Sequence, residues 1–118
     1  MMLYAVRIFA RDWDGVCRFY RDVLGLPERF KADDMGWAEY DVGGPCFGIE
    51  RVNPDDGESE ALVGRMLGVS LRVDDIHATY EALRERGVEF ISPPEKQAWG
   101  GSLAHFKDSE GNVLTLLA

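Results

Sequence analysis

The residues of this sequence best suited to chemistry are one histidine, two glutamates and two arginines. His105 with Glu39 or Glu50 could act as a general acid or base near neutral pH. Arg7 or Arg72 could bind a carboxylate or stabilise an enolate. A simpler interpretation is equally open, in which His105 orients a ligand or is structural and the arginines only offset the glutamates as ion pairs.

Aromatic and small polar residues accompany this set. Trp37 and Phe9 could form aromatic walls against a planar ligand, and Trp99 lies in a loop with two glycines. Ser70 and Thr115 could add hydrogen bonds that orient the ligand. Stacking combined with hydrogen bonding favours a binding site for a planar small molecule.

Composition narrows the partners further. The chain has 118 residues, enough for one domain, and its net charge of −8 repels nucleic acid and anionic membranes. No apolar run approaches the length of a membrane helix, and the N-terminus lacks a secretion signal, so we expect a cytoplasmic protein. Cys17 and Cys46 form no CxxC pair, which excludes zinc-finger and thioredoxin-like interpretations. The expected partner is a small molecule.

The chain contains an internal repeat, and each half reads strand, helix, strand, strand, strand. Asp12 and Asp75 are N-cap types, while Gly25 and Gly87 suit the ends of the two predicted helices. Turn residues separate the later strands of each half. Those predicted strands are Glu28–Ala32, Trp37–Val42, Cys46–Val52, Val88–Ser92, Ser102–Lys107 and Val113–Leu117.

We expect one domain over residues 1–118, with a first module at 1–54 and a second at 66–118. An acidic segment at 55–65, rich in turn formers, is interpreted as a solvated connector. Neither half is long enough to be a comfortable independent domain, so the halves should share one sheet system.

Period-two alternation along four strands gives the two faces of the sheet different characters. An apolar face should pack against the helices: Tyr4, Val6, Ile8, Phe47, Ile49, Val69, Leu71, Val73, Leu114 and Leu116. The opposite face mixes small, apolar and charged residues, which favours a concave wall around a cavity. Packing of that face against a second subunit is the alternative.

Two motifs resemble the vicinal oxygen chelate superfamily, which includes glyoxalase I and the bleomycin resistance proteins. Phe19–Leu26 has the sequence FYRDVLGL, similar to that superfamily's FYrdvLGl signature, and Phe106–Asn112 is similar to its f.DPdGn turn, with Ser109 in place of proline. The resemblance covers nearly the whole chain. It implies an α+β fold of two βαβββ modules forming a cupped eight-stranded mixed sheet with helices on the outer face, and a homodimer.

The resemblance also implies where a divalent metal would be held in the metalloenzymes of this group. Counted from the motifs, the four ligand positions fall on Ala5, Gly48, Gly68 and Thr115, or on Glu50 in place of Gly48 if the register differs by two. None of the four residues is a strong ligand. We therefore expect neither a metal at the usual place nor another cofactor.

Three hypotheses remain for the function. The first is a metal-free protein of the glyoxalase/bleomycin resistance group that binds a small organic molecule in the cup. The second is a lyase or isomerase that uses His105 with Glu39 or Glu50 as acid and base, and an arginine as electrophile. The third is a metalloenzyme with displaced ligands such as these same three residues.

Overall fold

Each half of the chain begins with a strand that leads into a helix capped by an aspartate. The computed structural model describes all 118 residues and divides them into two units, Met1–Gly64 and Arg65–Ala118. Asp12 accepts a hydrogen bond from the Gly15 amide, and Asp75 accepts one from the Ala78 amide. Both predicted N-caps are confirmed.

The first unit contains a four-stranded mixed sheet. Its strands are β1 (Ala5–Ala10), β2 (Glu28–Ala32), β3 (Trp37–Tyr40) and β4 (Cys46–Arg51), in the order β1-β4-β3-β2. β1 and β4 are parallel, and the other pairs are antiparallel.

One helical stretch packs against this sheet. Helix α1 (Trp13–Arg18) continues into the π-helical segment Phe19–Val23 and ends before Gly25, whose φ of 74° suits a left-handed stop. The Trp13 indole donates a hydrogen bond to the Ile49 carbonyl at 2.9 Å, and the Tyr20 ring meets Phe47 edge-on at 5.1 Å. Both contacts fix the helix to β4, because they join buried side chains to the central strand.

The acidic segment contains a short helix that the sequence did not predict. Asp56 caps α2 (Gly57–Glu60), accepting from the amides of Glu58 and Ser59. Glu60 forms an ion pair with Arg11, directly after β1. The segment interpreted as a connector therefore carries local structure, and through Gly64 it belongs to the first unit.

The second unit contains a five-stranded mixed sheet. β5 (Met66–Arg72) runs parallel to β9 (Val113–Leu117), followed by β8 (Ser102–Lys107) and β6 (Glu89–Phe90), while β7 (Glu95–Lys96) also pairs with β8. The pairing of β5 with β9 is irregular between Met66 and Ser70.

Helix α3 (Ile76–Glu85) covers one face of the second unit's sheet. It ends before Gly87, which has a φ of 90°. The Tyr80 ring meets Phe90 at 4.7 Å, and Phe90 meets Phe106 at 5.7 Å. These contacts bury the apolar side of the helix against β6 and β8, as the helical spacing predicts.

The α+β class and the order of elements in both modules are confirmed. The strands number nine rather than eight and are hydrogen-bonded in two sheets, one per unit, where we expected one shared sheet. The extra strand β7 has only two residues and follows Pro93-Pro94, so no alternating pattern announced it. None of the helices combines the length and the apolar character that crossing a membrane requires.

Candidate functional site

The face of the first sheet opposite α1 carries most of the first unit's candidate residues. Strand pairing places Arg7 beside Gly48 and Gly48 beside Glu39. The next row brings Phe9 beside Glu50 and Glu50 beside Trp37. Because paired residues share a face, these side chains lie on one side of the sheet, as the alternation predicts.

The indole ring of Trp37 lies directly over Gly48. A Cβ atom built on Gly48 would be only 2.6 Å from Cζ2 of that ring, closer than any real carbon contact. Gly48 is buried and Trp37 is half-buried. Glycine at this position lets the ring contact the strand, and the centre of the face becomes aromatic.

Arg7 and Glu50 form an ion pair on this face. Nη1 of Arg7 donates to Oε1 of Glu50 at 3.1 Å, and the Arg7 guanidinium also lies 5.3 Å from the centre of the Phe9 ring. The two charged side chains are 56% and 33% exposed, so the pair contributes at most about 1 kcal/mol to stability. Phe9 itself is buried. This finding supports the ion-pair interpretation of the two residues.

Glu39 accepts hydrogen bonds from two neutral donors. The Tyr4 hydroxyl donates to its Oε1 at 3.3 Å, and the Cys46 thiol donates to the same oxygen at 3.1 Å. The negative charge of Glu39 raises the pKa of Tyr4. Burial, reinforced by the hydrogen bond to Glu39, raises the pKa of Cys46 to about 11. Both donors are therefore protonated at neutral pH.

Tyr4 and Phe30 are site neighbours that sequence reasoning missed. Tyr4 was expected on the helix-facing side, but it is 73% exposed and its hydroxyl reaches Glu39. The alternation failed there because Tyr4 precedes Ala5, the first residue of β1. Phe30 pairs with Glu39 across β2 and β3 and is 45% exposed. The sequence signal for Phe30 was its place in the predicted strand, two residues before Ala32 and therefore on the same face, next to Trp37.

In the second unit, three candidate residues lie in one row across three strands. Ser70 pairs with Thr115, and Thr115 pairs with His105. Nδ1 of His105 lies 2.7 Å from the Thr115 hydroxyl, and Thr115 is buried. That hydrogen bond fixes the orientation of the imidazole ring and leaves Nε2 for another partner.

The other two candidates of the second unit are exposed. Arg72 pairs with Leu117 in the row next to His105. Trp99 is 66% exposed in the turn between β7 and β8, closed by a 2.7 Å hydrogen bond from the Gln97 amide to the Gly101 carbonyl. Its ring lies over Gly101, where a Cβ would be 3.0 Å from Cε3 of the indole.

The residues at the expected metal-ligand positions do not fit a metal. Ala5 and the two glycines offer no donor side chain, and the ring of Trp37 occupies the space above Gly48. The Thr115 hydroxyl is engaged by His105. No group of three or more His, Cys, Asp or Glu side chains is arranged to hold a metal ion.

The structure therefore collects the candidates in two sets. Arg7, Phe9, Trp37, Glu39 and Glu50 lie together in the first unit, with Tyr4, Phe30 and Cys46 around Glu39. Ser70, His105 and Thr115 lie together in the second unit. Within its own unit, the hydrogen bond of His105 goes to a hydroxyl and not to a carboxylate.

Comparison with known proteins gives a consistent family relationship. Residues 3–116 match the family described as Glyoxalase/Bleomycin resistance protein/Dioxygenase superfamily. YraH of Bacillus subtilis strain 168, an uncharacterized protein, is 27% identical over 98% of this chain and 97% of its own length.

Solved structures resemble the whole chain as well. A Sphaerobacter thermophilus DSM 20745 protein of the same superfamily is 27% identical, with a TM-score of 0.81 over 99% of this chain and 96% of its own. TnmS3, an antibiotic binding protein from Streptomyces sp. CB03234, is 24% identical and has a TM-score of 0.77 over 98% and 93% of the two chains. The likeness to TnmS3 concerns the fold alone.

Proposed function

This chain belongs to the Glyoxalase/Bleomycin resistance protein/Dioxygenase superfamily, and from that premise we propose that it is a metal-free protein that binds a small organic molecule with a planar ring. The observation that carries the proposal is the indole of Trp37 lying over Gly48. Where metalloenzymes of this group would place a ligand atom, this chain places an aromatic surface. Sequestration or resistance is the role that such binding serves.

Polar residues around the ring support the proposal. Arg7 and Glu50 form an ion pair beside Trp37, and Glu39 lies one row away. An aromatic surface with a few fixed polar groups is the usual composition of a small-molecule site. The fold that the chain shares with the antibiotic binding protein TnmS3 is compatible with the same type of role.

Thermal-shift measurements with a panel of planar aromatic antibiotics and metabolites test the proposal. A compound that binds the native state raises Tm, because ligand binding adds to the free energy of unfolding. We expect Trp37→Leu to weaken the best compound about tenfold, as loss of a stacked ring does. The control Met35→Leu changes an exposed side chain in the adjacent turn and should have no effect. If no compound of the panel raises the Tm of the wild type or of Met35→Leu, the proposal is overturned.

Catalysis as a lyase or isomerase is the second candidate. Its support is the 2.7 Å hydrogen bond that orients the His105 ring through Nδ1, as a general base requires. Thr115→Val removes the orienting hydroxyl and His105→Ala removes the ring. If a compound from the panel is converted, both variants should lower kcat while the affinity is kept. Unchanged turnover in His105→Ala would eliminate that residue as acid or base.

The proposal also states that no metal binds at displaced ligands, that the protein is a homodimer and that it is cytoplasmic. Native mass spectrometry after incubation with Mn²⁺, Ni²⁺, Zn²⁺ or Fe²⁺ should give no stoichiometric metal adduct, and a one-to-one adduct would refute the metal-free assignment. The same spectra should be dominated by a homodimer. We propose a cytoplasmic location, in agreement with two free cysteines, both buried.

A further inference from the structure

We infer that the first unit's sheet face recognises an organic cation, in which an ammonium group is attached to a planar ring, with Glu39 as the counter-ion. This inference rests on the proposed binding function and adds the charge of the ligand to it. Two features lead to it: the pairing of charges on the face, and the aromatic side chains around one carboxylate.

The charges of the face do not cancel. Arg7 is the one cation in the rows of Gly48 and Glu50, and it is paired with Glu50 at 3.1 Å. Arg29, in the bulge of β2, pairs with Asp41 at 3.2 Å. Glu39 forms no ion pair, so its negative charge is left for a ligand.

Two cations of the neighbouring strands remain, Arg51 and Lys31, and both belong to the opposite side of the sheet. Arg51 pairs with Ala10, and its guanidinium lies 4.7 Å from the centre of the Trp13 ring. Lys31 lies on β2. It pairs with Ala38, not with Glu39. Its ammonium group lies 4.4 Å from the centre of the Trp13 ring and 2.7 Å from Asp33. The Lys31 charge is thus used elsewhere, and it does not compensate Glu39.

Aromatic side chains border Glu39 on the same face. Phe30 is its partner across the strands, and Trp37 stands two residues earlier on β3. The Tyr4 hydroxyl reaches its Oε1. Aromatic faces attract cations through the ring quadrupole. Next to a carboxylate, such faces form a site for an ammonium group. The ring of the ligand would then lie on Trp37.

The two hydrogen bonds that Glu39 accepts leave its negative charge intact. Tyr4 and Cys46 supply neutral donors, and the raised pKa of each keeps its proton in place at neutral pH. They orient the carboxylate without neutralising it. Glu39 is a half-buried carboxylate without a counter-ion. The electrostatic attraction between it and a bound cation is therefore stronger than that between the same charges in open water.

Three matched probes test the inference by isothermal titration at low salt: naphthylmethyl-trimethylammonium, naphthylmethanol and naphthylacetate. The wild type should bind the cation about tenfold more tightly than the neutral alcohol, and the anion more weakly than either. Glu39→Gln should reduce the preference for the cation to less than about twofold. Glu58→Gln, which removes one charge from exposed α2, should keep the preference.

Two measurements check that Glu39→Gln is folded. The amide oxygen of a glutamine can still accept from Tyr4 and Cys46, so Tm should stay within a few degrees of wild type. The far-UV circular dichroism spectrum of Glu39→Gln should also match that of the wild type, so that a lost preference for the cation is not a loss of folding.

The outcomes separate the two proposals. Equal binding of all three probes that is lost in Trp37→Leu overturns the cation assignment and leaves the aromatic-binding function intact. A preference for the cation that survives in Glu39→Gln also overturns the role of Glu39. If none of the probes binds while a compound of the thermal-shift panel does, the cation assignment fails alone; if neither the probes nor the panel bind, both proposals fail.

Discussion

Gly48 shows how one residue decides the chemistry of a whole face. With hydrogen in place of a side chain, the strand accepts the Trp37 ring in direct contact. Any larger residue there would force the ring off the strand, because a Cβ already overlaps it. The position therefore selects between an aromatic surface and a side chain that could coordinate.

Gly48→Ala should lower the free energy of unfolding by roughly 1–3 kcal/mol, the usual cost of overpacking. The clash is with Trp37, so the cost should shrink in the double variant Gly48→Ala/Trp37→Leu. Urea unfolding of the four proteins in the cycle measures the coupling. Additive effects of the two substitutions would contradict the contact.

The Cys46 thiol should react slowly with alkylating reagents. Its pKa of about 11 lies above the value of about 8.5 of a free cysteine, so the thiolate at pH 8 is scarcer by more than about 100-fold. In a Cys17→Ser background, alkylation by iodoacetamide should be slower than that of free cysteine by about tenfold or more, because the greater nucleophilicity of a high-pKa thiolate offsets only part of its scarcity. Labelling as fast as the free amino acid would refute the assignment.

The same raised pKa predicts a dependence of stability on pH. Because the folded value exceeds the unfolded one, the Cys46 contribution is constant below about pH 8.5 and is lost as the pH rises towards 11. Cys46→Ala should flatten this decline in a Cys17→Ser background, as measured by urea unfolding between pH 8 and 11. An unchanged slope would contradict the prediction.

At the scale of elements, two aspartates next to each other before α3 have different roles. Asp75 accepts from the Ala78 amide at 3.1 Å and caps the helix. Asp75→Ala should cost about 1 kcal/mol of unfolding free energy, the usual loss for an N-cap. Asp74→Ala removes the same charge without the cap and should cost clearly less in thermal unfolding. Equal losses would show that charge, and not the cap, matters.

Most elements could be predicted from local signals, and the failures are local as well. Aspartate caps, glycine stops and apolar alternation predicted both modules and the faces of β1, β4 and β5, because each of these features is set by neighbours in the sequence. Helix α2 and β7 were missed, since four and two residues are too short to show a period. Their positions depend on contacts such as Glu60 with Arg11.

Alternation predicted which residues of β3 and β4 share a face of the candidate site, but it missed Tyr4 and Phe30 and could not give the pairings. Alternation placed Trp37, Glu39 and Glu50 on one face, and the strand register agrees. That Glu50 is paired with Arg7 while Glu39 accepts from Tyr4 follows from distances across strands, which one sequence does not contain.

At the scale of the whole molecule, we propose that the two units fold as one domain. Each spans only 64 or 54 residues, near the size at which a chain buries too little surface to be stable alone. Phe47→Leu, in the core of the first unit, should cost roughly 1 kcal/mol. Hydrogen exchange should show that loss at Ile49 and equally at Leu116 in the second unit. Protection lost at Ile49 alone would indicate two independent domains.

The contact between Trp37 and Gly48 also restricts how this lineage can change. A histidine or glutamate at position 48 would meet the indole before it could meet a metal ion, so such a side chain fits only after the ring at position 37 has been replaced. Positions 37 and 48 should therefore covary among relatives, with a large ring at 37 only where 48 is glycine.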